Sequence, residues 1–137
     1  MENFPVHILA ADEPFYEGPC QSISIPTTTG MYGVLAHHTN VILAIVPGTL
    51  IYRCEGQEEQ LAAVSAGLMK VENGEVLILV DSAEHPDEID ANRAKRAADQ
   101  AKEELLQKKS IQEYRMAQSN LARALSRLQV KSAANKH

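Results

Sequence analysis

At residue 85 the apolar residues change period, and no single layer of regular structure accommodates both halves of the chain. Up to Glu84 the pattern alternates with period two and turn residues interrupt it at short intervals, which predicts strands. Val6-His7-Ile8-Leu9 opens the series, and Ser22-Ile23-Ser24-Ile25-Pro26 alternates polar with apolar. Val41 to Val46 is a continuous apolar run stopped by Pro47-Gly48, a turn pair. Leu50 to Cys54 and Leu61 to Ser65 flank an acidic bend that contains Gly56. Leu68 to Val71 and Val76 to Val80 flank Asn73-Gly74, the strongest short-range hairpin signal, because both central residues of that turn take positive φ. Many short strands in about 80 residues predict a small β-sandwich or flattened barrel.

After residue 85 the period lengthens to that of a helix. His85-Pro86-Asp87-Glu88 reads as a helix entry, with proline in the first turn and acids at the positive end of the dipole. Ile89, Ala94, Ala97, Ala98, Ala101 and Leu105 mark one face, and Lys108 and Lys109 suit a helix C-terminus. Ser110-Ile111-Gln112-Glu113 has the form of a capping box and starts a second helix. The seam of that helix runs Tyr114, Ala117, Leu121, Leu125 and Leu128. The fold class expected is therefore a β-module over 1–84 followed by an antiparallel two-helix hairpin over 85–137. Alanine buries little apolar area, so the hairpin is expected to be held by a modest seam. The pattern fits equally a stable pair of helices and a pair that opens to another protein.

Charge divides at the same place. Residues 1–84 carry two basic and eleven acidic side chains, a net of −9, and 85–137 carry eleven basic and seven acidic, a net of +4. Together they give the −5 of the whole chain, which argues against nucleic acid as a partner. No apolar run approaches the ~20 residues of a membrane span. The start, Met1 to Pro5, has neither the basic nor the apolar stretch of a signal peptide. Cys20 and Cys54 are too few for a disulfide framework and read as free thiols, with one bridge as the alternative.

Catalytic patterns are missing from this reading. There is no glycine-rich phosphate loop, serine elbow or paired-cysteine metal motif in the sequence. His37 and His38 are adjacent, so on a strand they point to opposite sides, and no acid lies close beside them. Neither cysteine has a local histidine or cationic pair in the sequence to lower a thiol pKa. The chain is expected not to be an enzyme and to need no metal or required cofactor.

Several segments taken together resemble the epsilon subunit of F-type ATP synthases, over nearly the whole chain. They are Phe4 to Ile8, Gly30-Met31-Tyr32-Gly33-Val34-Leu35, Pro47-Gly48, Val64-Ser65-Ala66-Gly67 and Val76 to Glu84 leading into Ile89 to Ala94. One family feature is degraded: the usual Leu-Pro-Gly-His-Ala-Pro stands here as Leu35-Ala36-His37-His38-Thr39-Asn40, without its prolines and glycine. The resemblance implies a non-catalytic central-stalk subunit that couples proton or sodium flow to ATP synthesis. Its β-module would contact the gamma subunit and the c-subunit ring. Its helices would reach the alpha and beta catalytic subunits and inhibit ATP hydrolysis, with basic helices drawn to an acidic surface. The implied location is the cytoplasmic side of the cell membrane, peripheral and reached only through the complex.

The resemblance also implies a regulatory ATP site. Some bacterial members bind ATP in the folded-down hairpin through Ile/Leu-Asp-x-x-Arg-Ala, matched here by Ile89, Asp90, Arg93 and Ala94. The other matching positions are Glu84, Arg123 and Arg127, while a further basic position of those members corresponds to Gln100. Two rival classes compete with this reading: an independent ligand- or protein-binding β-module with a dimerising helical tail, and a small hydrolase using His37, His38 or Asp81.

Overall fold

A computed structural model describes residues 2–11, 13–106 and 111–135. Ten strands form two five-stranded sheets, and two helices follow. The strands are β1 (Phe4–Ala10), β2 (Pro14–Cys20), β3 (Ser22–Thr27), β4 (Gly30–Val34), β5 (Val41–Ile45), β6 (Gly48–Arg53), β7 (Glu59–Val64), β8 (Gly67–Glu72), β9 (Glu75–Val80) and β10 (Ala83–Glu84). The first sheet has the order β2-β1-β9-β8-β5, the second β10-β7-β6-β3-β4. The expected sandwich is present. Asn73 and Gly74 take φ of 52° and 78°, as the hairpin signal between β8 and β9 requires.

The core lies between the sheets and is made by alternate residues of each strand. Val6 and Ile8 of β1, Val76, Ile78 and Val80 of β9, and Met69 and Val71 of β8 point inward from the first sheet. Ile23, Ile25, Leu50, Tyr52, Ala62 and Val64 answer from the second. Burial raises the Tyr52 hydroxyl to a pKa of about 12, with the nearby Cys54 and Cys20 adding to the effect.

The helices are α1 (Ala91–Leu106) and α2 (Ile111–Asn135). The entry differs from expectation: Pro86–Glu88 forms a 3₁₀ turn, and α1 starts only after Asp90. The Asp90 Oδ1 accepts the Arg93 N–H at 3.1 Å, which makes Asp90 the cap and explains why the helix starts there. The seam differs too. Ala94, Ala98 and Ala101 are buried on α1, whereas Ala97 is exposed and Ile89 packs elsewhere. On α2, Ala117 and Ala124 are buried, seven residues and two turns apart, while Tyr114 and Leu125 are exposed. Leu105 of α1 and Leu121 and Leu128 of α2 are half-buried, so the fully buried positions of the expected seam within the two helices are alanines. Lys108, Lys109 and the Ser110 cap fall outside the described residues.

Gly67 opens β8 where the backbone of β9 crosses it. A Cβ there would lie 2.8 Å from the Val80 Cα and closer still to the Leu79 carbonyl oxygen. At Gly33 on β4 a Cβ would meet only the Ser24 Oγ, at 3.7 Å. Gly67→Ala should therefore cost about 3 kcal/mol or more, as overpacking against backbone does. Gly33→Ala should stay within about 1 kcal/mol of the parent. Urea unfolding of the two variants measures the contrast.

Candidate functional site

Two surfaces and one groove follow from where α2 lies. Three outward residues of β6 and β7 are apolar as well as the inward ones: Ile51, Leu61 and Ala63 alternate with Leu50, Tyr52, Ala62 and Val64. Strands that are apolar on both faces are covered on both faces. Here the second cover is α2. Val130 is fully buried against Ala63 and Ile89, with Leu61 packed beside them.

Polar contacts from the same face of α2 fix its register on the sheet. The Ser126 Oγ donates to the Gly48 carbonyl oxygen at 3.0 Å, and Ser126 itself is buried. The Lys131 Nζ donates to the Pro86 carbonyl oxygen at 3.3 Å. The Arg127 Nε donates to the Glu84 Oε1 at 2.6 Å, with Nη2 at 2.5 Å from the same oxygen. Both partners of that ion pair are partly buried, so it is worth more than a fully exposed pair. The hairpin is thus folded down on the second sheet. Ser126, Val130 and Lys131 were not evident in sequence as contact residues. The legible signal was the unbroken apolar run Leu61-Ala62-Ala63-Val64, which asks for a second cover.

Along one side of the helix pair runs an open groove. A cleft of about 410 Å³ is lined by Glu84, Glu88, Asp90, Arg93, Ala94, Ala97 and Arg127. It adjoins a second of about 210 Å³ that shares Ala97 and Arg127 and adds Gln100, Glu104 and Arg123. Of the residues singled out in sequence, Glu84, Asp90, Arg93, Ala94, Arg123 and Arg127 come together here. Ile89 does not, because its side chain is turned into the Val130 contact. Electrostatically the groove is graded. Glu84, Glu88 and Asp90 outnumber Arg93 and Arg127 in the first cleft, whereas Arg127 and Arg123 outnumber Glu104 in the second. At the far end the Gln100 Nε2 faces the Glu104 Oε1 at 3.5 Å, and the Arg123 Nη2 donates to the Asn120 Oδ1 at 3.3 Å. Such a groove suits a ligand with hydrogen-bond donors at one end and negative charge towards the other.

Among the described residues the first sheet has no such cover. Leu9, Leu79, Leu68 and Ala44 stand opposite one another in a row across β1, β9, β8 and β5. They point away from the core, and Leu68 and Leu79 are 52% and 47% exposed. Ile42, one row along on β5, is 68% exposed.

The remaining candidates are scattered. The His37 Nε2 pairs with Glu2, whereas the His38 Nε2 meets the Tyr32 hydroxyl at 2.9 Å. Asp81 sits in the bend after β9, where its N–H donates to the Ala66 carbonyl oxygen at 3.3 Å. Among the described residues no group of three or more His, Cys, Asp or Glu side chains is placed to hold a metal ion.

Comparison with known proteins agrees with this architecture. The family described as ATP synthase, delta/epsilon chain, beta-sandwich domain matches residues 3–86. That described as ATP synthase, delta/epsilon chain, long alpha-helix domain matches residues 87–132. The ATP synthase epsilon chain of Caldanaerobacter subterraneus subsp. tengcongensis is 42% identical over 132 residues, 96% of this chain and 95% of that one. The ATP synthase epsilon chain of Ruminiclostridium cellulolyticum is 38% identical over 128 residues, 93% of this chain and 95% of that one. Among solved structures, a chain of the Euglena gracilis mitochondrial ATP synthase OSCP/F1/c-ring superposes with a TM-score of 0.80 at 24% identity. That superposition spans 98% of this chain and 82% of the other. A chain of the Tetrahymena thermophila mitochondrial ATP synthase central stalk and c-ring superposes at 0.66 and 10% identity, over 95% and 97%. At these identities the two superpositions speak for the fold alone.

Proposed function

The chain belongs to the ATP synthase delta/epsilon family, as a non-catalytic epsilon-type subunit, and we propose from this how its surfaces are used. The β-module docks on the gamma subunit and the c-subunit ring in the central stalk of an F-type ATP synthase. It helps to couple proton or sodium flow to ATP synthesis, while the hairpin restrains ATP hydrolysis at the alpha and beta subunits. The subunit then sits peripherally on the cytoplasmic side of the cell membrane, held there by the complex. Among the described residues no helix is long and apolar enough to cross a membrane.

One observation carries this reading. β9 is apolar on both faces, yet its outer face, with Leu79 and the neighbouring Leu68, is bare, while the equivalent face of the second sheet is covered by α2. An apolar row across four strands, left open by the chain's own helices, favours a protein partner. A fragment of residues 1–86, which keeps that row and ends before α1, tests both modules at once. It should fold alone and bind a gamma–c-ring assembly, and the complex built with it should hydrolyse ATP faster than the complex with the full chain. A fragment that is folded but fails to bind contradicts the docking, and unchanged hydrolysis contradicts the restraint.

A nucleotide reading of the groove rests on a separate observation, the gathering of Asp90, Arg93, Arg123 and Arg127 along one helix pair. The acidic end would take the amino-bearing base of ATP, and Arg123 and Arg127 would approach the phosphates. The ligand would favour the folded-down hairpin, because only there do both helices line one groove. Arg127 is already paired with Glu84, and Gln100 supplies no charge. A lost charge-assisted contact costs about 1.5–3 kcal/mol, so Arg127→Ala should weaken ATP binding at least about tenfold. Gln100→Arg should tighten it. Calorimetric titration of the full chain with ATP checks both, and binding insensitive to either change removes the groove from consideration.

A further inference from the structure

The two thiols lie together where the chain passes from one sheet to the other. Cys20 ends β2 in the first sheet, and Cys54 directly follows β6 in the second. The Gln21 N–H donates to the Arg53 carbonyl oxygen at 2.8 Å, which brings the two cysteine segments side by side. The Cys54 Sγ donates to the Tyr16 hydroxyl at 3.0 Å, and that hydroxyl donates to the Pro19 carbonyl oxygen at 2.8 Å. The Tyr16 hydroxyl and the Cys54 thiol are also the groups that face Cys20. The two sulfurs differ in access: Cys20 is fully buried, and Cys54 is partly exposed. Neither sulfur has a part in the surfaces or the groove described above.

We propose that Cys54 and Cys20 are a thiol–disulfide exchange site, with Cys54 the attacking and Cys20 the resolving cysteine, whose oxidant is a low-molecular-weight disulfide. In the first step the Cys54 thiolate attacks one sulfur of the small disulfide. The S–S bond of the reagent breaks, one small thiolate leaves, and a mixed disulfide forms on Cys54. In the second step the Cys20 sulfur attacks the Cys54 sulfur and expels the second small thiolate. The two thiol protons end on the two departing thiolates. The protein dithiol is oxidised by two electrons and the reagent is reduced by the same two.

Burial assigns the order. A reagent in solution reaches the partly exposed Cys54, whereas Cys20 has no surface to offer. Burial pushes the Cys20 thiol up to about 12, so it makes a poor first nucleophile in free solution. Held beside a mixed disulfide it attacks within the molecule, and the departing thiolate receives its proton. The product ties the end of β2 to the end of β6 and so staples the two sheets together.

The test treats the full chain with oxidised glutathione under native conditions, quenches in acid, and follows intact mass and peptide maps. The parent should lose two hydrogens with no retained glutathione, and Cys20 and Cys54 should appear in one cross-linked peptide. Cys20→Ala should stop at a mixed disulfide on Cys54. In Cys54→Ala, Cys20 should react at least ten times more slowly than Cys54 does in Cys20→Ala. A mixed disulfide that persists in the parent overturns the proposal, as does a cross-link between chains. Cys20 reacting as fast as Cys54 overturns it too, as does no reaction while the urea-unfolded chain is oxidised. Circular dichroism establishes that each variant is folded, and the parent's mass and map decide alone if either is not.

Discussion

Val130 seated between Ala63, Leu61 and Ile89 is the contact on which the placement of the hairpin depends. Fully burying a valine side chain is worth about 1.5–3 kcal/mol, and the Ser126 bond to the Gly48 carbonyl adds about 1 kcal/mol. Each buried position of the α1–α2 seam contributes less than Val130, because it is an alanine. Such a clamp is strong enough to set one arrangement of the hairpin and weak enough to be displaced by a competing surface. The groove depends on it as well. Glu84 belongs to β10 and Arg127 to α2, so the two meet only while α2 is seated on the sheet.

The same clamp makes the two outer faces of the sandwich unequal in exposure. Both sheets carry strands that are apolar on both faces, but the described residues supply a cover for one sheet alone. The uncovered face is what distinguishes this molecule from a self-contained sandwich with a helical appendage. It accords with a chain whose family works within a large assembly.

Much of this was legible in the sequence where a local signal coincided with the tertiary result. The Asn73-Gly74 hairpin, the alternation in β3 and the change of period near residue 85 each have a backbone cause that acts over a few residues. β2 was not legible, because Pro14, Gly18 and Pro19 read as turn residues, although an edge strand tolerates them. β4 was hidden in the same way by Gly30 and Gly33, and it too lies at a sheet edge. The helix entry was misplaced because Pro86-Asp87-Glu88 satisfies the rules for a first turn, while Asp90 performs the capping. The groove was legible residue by residue through resemblance, but the direction of Ile89 was not. Ile89 follows the 3₁₀ turn and precedes the cap, so helical periodicity does not determine where it points. Ser126 and Val130 were missed because they answer to the sheet beneath α2 and not to the partner helix.

The central claim is that α2 is held down by its contact with the second sheet while the outer face of the first sheet stays free. Hydrogen exchange of the full chain carrying Val130→Asp tests it most directly, since a buried carboxylate in that contact is costly. The account predicts that amides of α2 lose protection by at least an order of magnitude, while those of β1, β8 and β9 keep theirs. Unchanged protection in α2 would contradict the clamp, and loss of protection throughout the sandwich would contradict its separation from the core.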